Sequence, residues 1–252
     1  MHYFIITGAS KGLGEGIAID LLNENHHLIC IARSESETLK RLGAAKNCTV
    51  DFLLFDLAFT QDIPQLGRQI FEIIDTNVAE GIYLVNNAGV IQPVGRIETC
   101  SPSDVEHHMR VNLLAPMVLT AEFIRYTRNL PVRKRVMNIS SGAASFPYNG
   151  WSNYCTAKAG MDMFSRCIGT EQENMEYPVD CMGVAPGIID TDMQTTIRET
   201  TEEQFVHRQK FVNYKESGQL IPPSLAGKRL AHLLLSDKDF KGGEIIDIRD
   251  SY

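Results

Sequence analysis

Short apolar runs rich in β-branched residues recur along the chain: YFIIT (3–7), HLICIA (27–32), VDFLLF (50–55), IYLVNN (82–87), RVMNIS (135–140), VDCMGVA (179–185) and GEIIDI (243–248). Their apolar character is continuous rather than alternating. That pattern predicts strands buried on both faces, as in a parallel sheet covered by helices. Between the runs, helical patterns predict helices near 12–24, 35–43, 62–76, 101–129, 151–174 and 223–236. The alternation predicts one α/β domain over 1–252, a doubly wound parallel sheet of seven strands with helices on both faces and right-handed crossovers. The stretch 186–222 breaks the rhythm. It holds a polar helical segment, TTIRETTEEQFVHRQKFVNYKES, and predicts a small insertion, about 190–216, acting as a lid or substrate loop.

Composition narrows the function classes. The formal charge of −7 argues against a nucleic-acid partner, which calls for a basic face. No apolar run reaches the roughly 20 residues that span a bilayer, so no membrane partner is expected. The opening HYFIIT has no basic segment followed by an apolar one, which predicts no signal peptide. Cys30, Cys48, Cys100, Cys155, Cys167 and Cys181 lack C-x-x-C spacing and read as reduced thiols of a cytoplasmic protein. His107 and His108 have no third ligand at metal spacing. They read as helix-surface residues after an S-P-S-D cap, and no metal is expected.

Two motifs carry chemistry. TGASKGLG (7–14) follows the first strand and opens the first helix. Gly8, Gly12 and Gly14 allow a tight turn and close approach of a pyrophosphate to free N–H groups at the helix start, a Rossmann-type dinucleotide site; a bare strand–helix turn is the alternative. In SNYCTAK (152–158), Tyr154 and Lys158 stand one helical turn apart on one face. An ammonium near the phenol favours phenolate, so Lys158 is expected to lower the Tyr154 pKa and make it a usable proton donor. Asn112 lies four residues before Pro116 in a long helix. The proline has no N–H, so the Asn112 carbonyl loses its normal partner and is free to hold a water; a kinked packing helix is the alternative.

Together these segments resemble the short-chain dehydrogenase/reductase family. TGASKGLG, NNAG (86–89), S-(x)12-Y-x-x-x-K (Ser141, Tyr154, Lys158) and APG (185–187) stand in the family's order and spacing over nearly the whole chain. The resemblance implies Ser141, Tyr154, Lys158 and Asn112 as catalytic residues, with Asn112 holding a relay water. It selects Ser141 over Ser140 by spacing. It implies a nicotinamide cofactor held by Gly8, Ser10, Lys11, Gly12, Leu13, Gly14, Asn87, Ala88, Gly89, Tyr154, Lys158, Pro186, Gly187, Ile189 and Thr191, with Asp56 and Leu57 at the adenine. A helix N-cap is the other reading of Asp56. The second strand ends Ala32-Arg33 with no acid at its tip. Lys11 and Arg33 suit a ribose 2′-phosphate, so NADPH/NADP+ is expected over NAD; solvated surface charges are the alternative. The family also implies a homodimer or homotetramer.

Locally the likeness is closer. WSNYCTAKAGMDMF (151–164), APGIIDTDMQ (185–194), RET (198–200) and FKGGEIIDIRD (240–250) resemble sepiapterin reductases and bacterial benzil reductases, which yield (S)-benzoin. That resemblance implies an NADPH-dependent carbonyl reductase acting on a small-molecule 1,2-dicarbonyl. Ser141, Tyr148, Trp151 and Met193, with Phe146 and Phe205, are the candidate substrate residues. Asp247 matches a pterin-holding aspartate or is simply ion-paired at a strand end. A 3-oxoacyl thioester reductase and a non-catalytic NADPH sensor are the rival readings.

Overall fold

A computed structural model describes residues 1–251, leaving Tyr252 outside the described residues. The seven apolar runs form β1 (His2–Thr7), β2 (His26–Ala32), β3 (Thr49–Leu54), β4 (Gly81–Asn86), β5 (Arg133–Ile139), β6 (Asp180–Ala185) and β7 (Ile245–Asp247). All pair in parallel, in the order β3-β2-β1-β4-β5-β6-β7. Side chains alternate across a strand. In β1, Phe4 and Ile6 therefore enter the core beneath α1 (Gly12–Asp20), α2 (Glu37–Ala45) and α9 (Pro223–Leu235). Tyr3 and Ile5 enter the opposite core, under α3 (Ile63–Ile73), α5 (Ala115–Thr127) and α6 (Ser152–Gln172). Burial on both faces is the physical reason the strands read as unbroken apolar runs.

Strand order reverses between β1 and β4, where the connections leave to opposite sides. A crevice opens there at the carboxyl ends of the strands. Among the described residues, no helix is long and apolar enough to cross a membrane.

Two expectations change. The predicted helix at 101–129 is three pieces: α4 (Pro102–Met109), a π turn over Arg110–Leu114, and α5. Pro116 has no N–H for the Asn112 carbonyl, and the chain widens to let Ala115 N–H bond the Arg110 carbonyl five residues back. The single polar helix expected in the insertion is α7 (Asp192–Glu199) and α8 (Arg208–Glu216). Between them Thr201 and Gln204 exchange side-chain bonds to each other's N–H, closing a turn that buries Phe205.

Candidate active site

The crevice is a cleft of about 1290 Å³ that runs from Arg33 and Asp56 at one end to Trp151 and Tyr214 at the other. The glycine loop forms its floor. Gly8 and Gly12 have φ of +68° and +61°, the left-handed region where a side chain is strained. Lys11 sits at the start of α1 without a side-chain cap, so the first N–H groups of the helix, at Gly12 and Leu13 on the cleft wall, are left for an anionic ligand. Gly14 does not reach the cleft. It lies behind, where a Cβ would stand 2.3 Å from the Gly8 carbonyl oxygen, so it serves the packing of helix on loop.

The NNAG segment braces that loop from β4. Asn87 Nδ2 donates to the Thr7 carbonyl at 2.9 Å, and the Asn87 and Ala88 N–H groups donate to Thr7 Oγ1 at 2.9 and 3.0 Å. Gly89 is glycine for a close approach, since a Cβ there would stand 2.8 Å from Asn112 Oδ1. Asn87, Ala88 and Gly89 all line the cleft.

At the adenosine end, Arg33 is exposed on the cleft wall beside Ser34 and has no ion-pair partner among the described residues. Glu35, the nearest acid along the chain, is held by Lys40. Lys11 Nζ instead donates to Asp192 Oδ2 of α7 at 2.6 Å, across the cleft mouth, with both side chains largely in solvent. Asp56 is no helix cap: its Oδ1 accepts from Ala58 N–H at 2.9 Å in a tight turn, and Asp56 and Leu57 face the cleft. A dinucleotide fits these residues: free helix-start N–H groups, a cleft of sufficient length, and a cation without a carboxylate at one end.

Deeper in the cleft, β5 ends in two serines. Ser140 is buried and donates to Oδ1 of Asp162 on α6. Ser141 turns to the cleft, accepts from Ala143 N–H at 3.2 Å and hydrogen-bonds Tyr154. Lys158 Nζ donates to the Ile139 carbonyl at 2.7 Å and lies 5.8 Å from the centre of the Tyr154 ring. Ser141, Tyr154 and Lys158 thus meet on one wall.

The electrostatics correct one expectation. Burial pushes the Tyr154 phenol above its ordinary value, and the bond to Ser141 is what pulls it down. Lys158 is itself deep enough that burial lowers its ammonium to about 8, with Asp162 opposing. One of its three N–H donors goes to the Ile139 carbonyl, and the phenol is governed by burial and Ser141, so the expected lowering of the phenol by Lys158 is not what this geometry supplies.

Asn112 does not line the cleft. Its side chain brackets Val90: Oδ1 accepts from Val90 N–H at 2.9 Å and Nδ2 donates to the Val90 carbonyl at 2.8 Å. The helix-surface expectation holds for His107 and fails for His108. His108 is fully buried, because the last turn of α4 rolls it inward against Asn112, and exposed His107 lines the cleft.

The far end is aromatic. Tyr148, Trp151, Met193, Phe211 and Tyr214 line it, as does the largely exposed Phe146. Phe205 does not. It stacks on Trp151 at 4.5 Å as core beneath the insertion. Pro186, Gly187, Ile189 and Thr191 line the floor after β6. Asp247 also faces the cleft, where Arg249 Nε and N–H both donate to its Oδ1, at 2.9 and 3.0 Å, and hold its carboxyl below the usual range. Sequence reasoning missed Gln194, Lys210, Tyr214 and Arg249. They come from the insertion and the chain end, where no motif spacing marks a residue.

The chain is similar to proteins of known activity over its whole length. It is 42% identical over 248 residues to "Benzil reductase ((S)-benzoin forming)" of Bacillus cereus, covering 98% of this chain and 99% of the relative. It is 31% identical over 258 residues to the sepiapterin reductase of Meriones unguiculatus, covering 98% and 96%. The crystal structure of the KRED1-Pglu enzyme superposes with a TM-score of 0.82 at 29% identity, covering 97% of this chain and all of that one. The short chain dehydrogenase model matches residues 2–202, which take in the glycine loop, Ser141, Tyr154 and Lys158. This chain belongs to the short-chain dehydrogenase/reductase family, an oxidoreductase acting on CH–OH and C=O groups with a nicotinamide cofactor.

Proposed function

We propose that the chain is an NADPH-dependent carbonyl reductase that reduces one carbonyl of a 1,2-dicarbonyl, such as benzil to (S)-benzoin, or of a sepiapterin-like side chain. The observation that carries the reading is an aromatic wall directly beside a proton donor: Trp151 packs edge-on to Tyr154, with ring centres 5.5 Å apart, and Tyr148 lies 5.1 Å from Trp151. An aryl ring of such a diketone gains from this surface, because stacked rings are worth about 0.5–1.5 kcal/mol beyond their buried area. The benzil and sepiapterin reductase relatives support the same substrate class.

The residues divide the task. Gly12 and Leu13 N–H groups receive the pyrophosphate, and Arg33 faces the ribose 2′-phosphate with a planar fork of donors. Lys158 and the Asn87–Gly89 turn hold the nicotinamide ribose side of the cleft. A nicotinamide cofactor, when bound, supplies the hydride and, once oxidised, a positive charge. Ser141 donates a hydrogen bond to the substrate oxygen as negative charge grows there. Tyr154 gives that oxygen its proton, and Lys158 with a water on the Asn112 carbonyl returns one to the phenol. The chain assembles as a homodimer or homotetramer, as its family resemblance implies.

The test is NADPH oxidation against benzil, sepiapterin and an acetoacetyl thioester, with wild type and Tyr154→Phe. Turnover of the dicarbonyls that collapses in the variant supports the reading. Turnover of the thioester alone transfers the chain to the 3-oxoacyl reductases. Equal NADPH oxidation by wild type and variant removes Tyr154 from the chemistry.

A further inference from the structure

The buried His108 has no place in the mechanism above, yet all its polar atoms are committed. Its Nδ1 lies 2.7 Å from the Gln92 carbonyl oxygen, and its Nε2 lies 2.8 Å from Asn112 Nδ2. The protons can be assigned from the backbone outward. Val90 offers one N–H and one carbonyl, so Asn112 must present Oδ1 to the first and Nδ2 to the second. Asn112 Nδ2 is then a donor toward His108, and Nε2 must accept. The Gln92 carbonyl can only accept, so Nδ1 carries the proton. The ring is neutral by hydrogen-bond logic alone.

We propose that His108 is a positioning residue of this site: as the neutral Nδ1–H tautomer it fixes the Asn112 carboxamide, and a proton taken up at Nε2 frees that carboxamide from the Val90 backbone. An Nε2–H would face the Asn112 Nδ2 hydrogen that is not given to the Val90 carbonyl. With the ring fully buried, no water can relieve the donor–donor contact. The consequence reaches the cleft directly, because Val90 lines it, and Gly89 next door already touches the Asn112 position closely. Tyr154 meets the His108 ring edge-on, with centres 6.1 Å apart.

The charged and titratable surroundings agree. Lys158 on α6 and His107 on α4 both oppose a charge on the ring, and Tyr154 is the remaining titratable group against it. Burial is the larger effect and lowers the ring below 6.5, with the Gln92 bond opposing. The site is thus held together at neutral pH and opened by acid.

Two measurements test this on the full chain. In 15N-labelled protein, His108 is identified by its contacts to the Tyr154 ring. It should be the Nδ1–H tautomer at pH 7, and exchange protection of the Val90 N–H should fall about tenfold or more as the ring titrates. An Nε2–H or charged ring at pH 7, or Val90 protection indifferent to its titration, overturns the proposal. The second is kcat/KM for a diketone from pH 5 to 8, in wild type and His108→Gln. Gln keeps an acceptor for Asn112 and a donor for Gln92 with nothing to protonate.

Wild type should lose about tenfold per pH unit below the ring's midpoint, and the variant should stay flat. An acid limb that persists in the variant overturns the proposal. Should the variant not fold, the wild-type kinetic midpoint must coincide with the ring midpoint, and disagreement overturns it. The kinetic arm rests on the carbonyl reductase reading. The tautomer and exchange arm needs no substrate, so failure of that reading is distinguished from failure of this one.

Discussion

Ser140 gives its hydroxyl to Asp162, while Ser141, the next residue, meets Tyr154 at the cleft. Two adjacent serines at one strand end therefore have separate fates, and the split makes a prediction. Ser141→Ala should lower kcat about 10²–10³-fold, the usual loss for one donor to a developing oxyanion, with the melting temperature nearly kept. Ser140→Ala should do the reverse. It strips a hydrogen bond from a buried carboxylate, which costs about 1–3 kcal/mol, yet turnover per folded molecule should survive. Thermal melts alongside steady-state kinetics check both. Equal loss of turnover in the two variants would sink the assignment.

Lys158 predicts an unusual pH dependence of stability. Its folded value, about 8, lies below the ordinary 10.5. Below pH 8 both folded and unfolded chains carry the proton, and burial of the charge weighs fully against folding. Between 8 and 10.5 the folded chain sheds the proton while the unfolded chain keeps it, so this contribution favours folding as pH rises. At about 1.4 kcal/mol per unit, the gain is on the order of 3 kcal/mol. Urea melts from pH 7 to 10 should show wild type gaining on Lys158→Met through that window; parallel curves would contradict it.

The proposed preference for NADPH rests on one exposed cation. Replacing Arg33 by Asp should weaken NADPH binding about ten- to a hundredfold, the worth of a charge-assisted hydrogen bond, and leave NADH equal or better. Titration of both cofactors by fluorescence reads this directly. Equal weakening of the two would mean Arg33 does not discriminate. Lys11 should matter less, because Asp192 already holds it.

Helix α1 packs on α9 through glycines. A Cβ on Gly227 would stand 2.2 Å from the Gly16 carbonyl carbon, against backbone that cannot move aside. Gly227→Ala should lower stability by about 1–3 kcal/mol, as overpacking does, without changing cofactor affinity of the folded fraction. A melting temperature equal to wild type would show the two helices able to part.

What the sequence carried is what repeats or is spaced. The continuous apolar runs specified seven parallel strands, because a strand buried on both faces has no polar side to show. The glycine loop and the Tyr154–Lys158 spacing are local geometry, one turn or one helix face, and so are legible without a fold. Tertiary structure decided everything that depends on which way a side chain turns once the chain is packed. Adjacent His107 and His108 look alike in sequence, but helix rotation sends one to the cleft and one into the core. Phe205 reads as a pocket aromatic and is core, because the turn between α7 and α8 carries it under Trp151. Lys158 stands near Tyr154 by spacing, yet the Ile139 carbonyl and its own burial, set by β5 across the interface, determine what its charge does. Spacing along one element is a short-range constraint written in the chain. The partner a buried polar group finds comes from another element, and only the packed fold brings the two within reach.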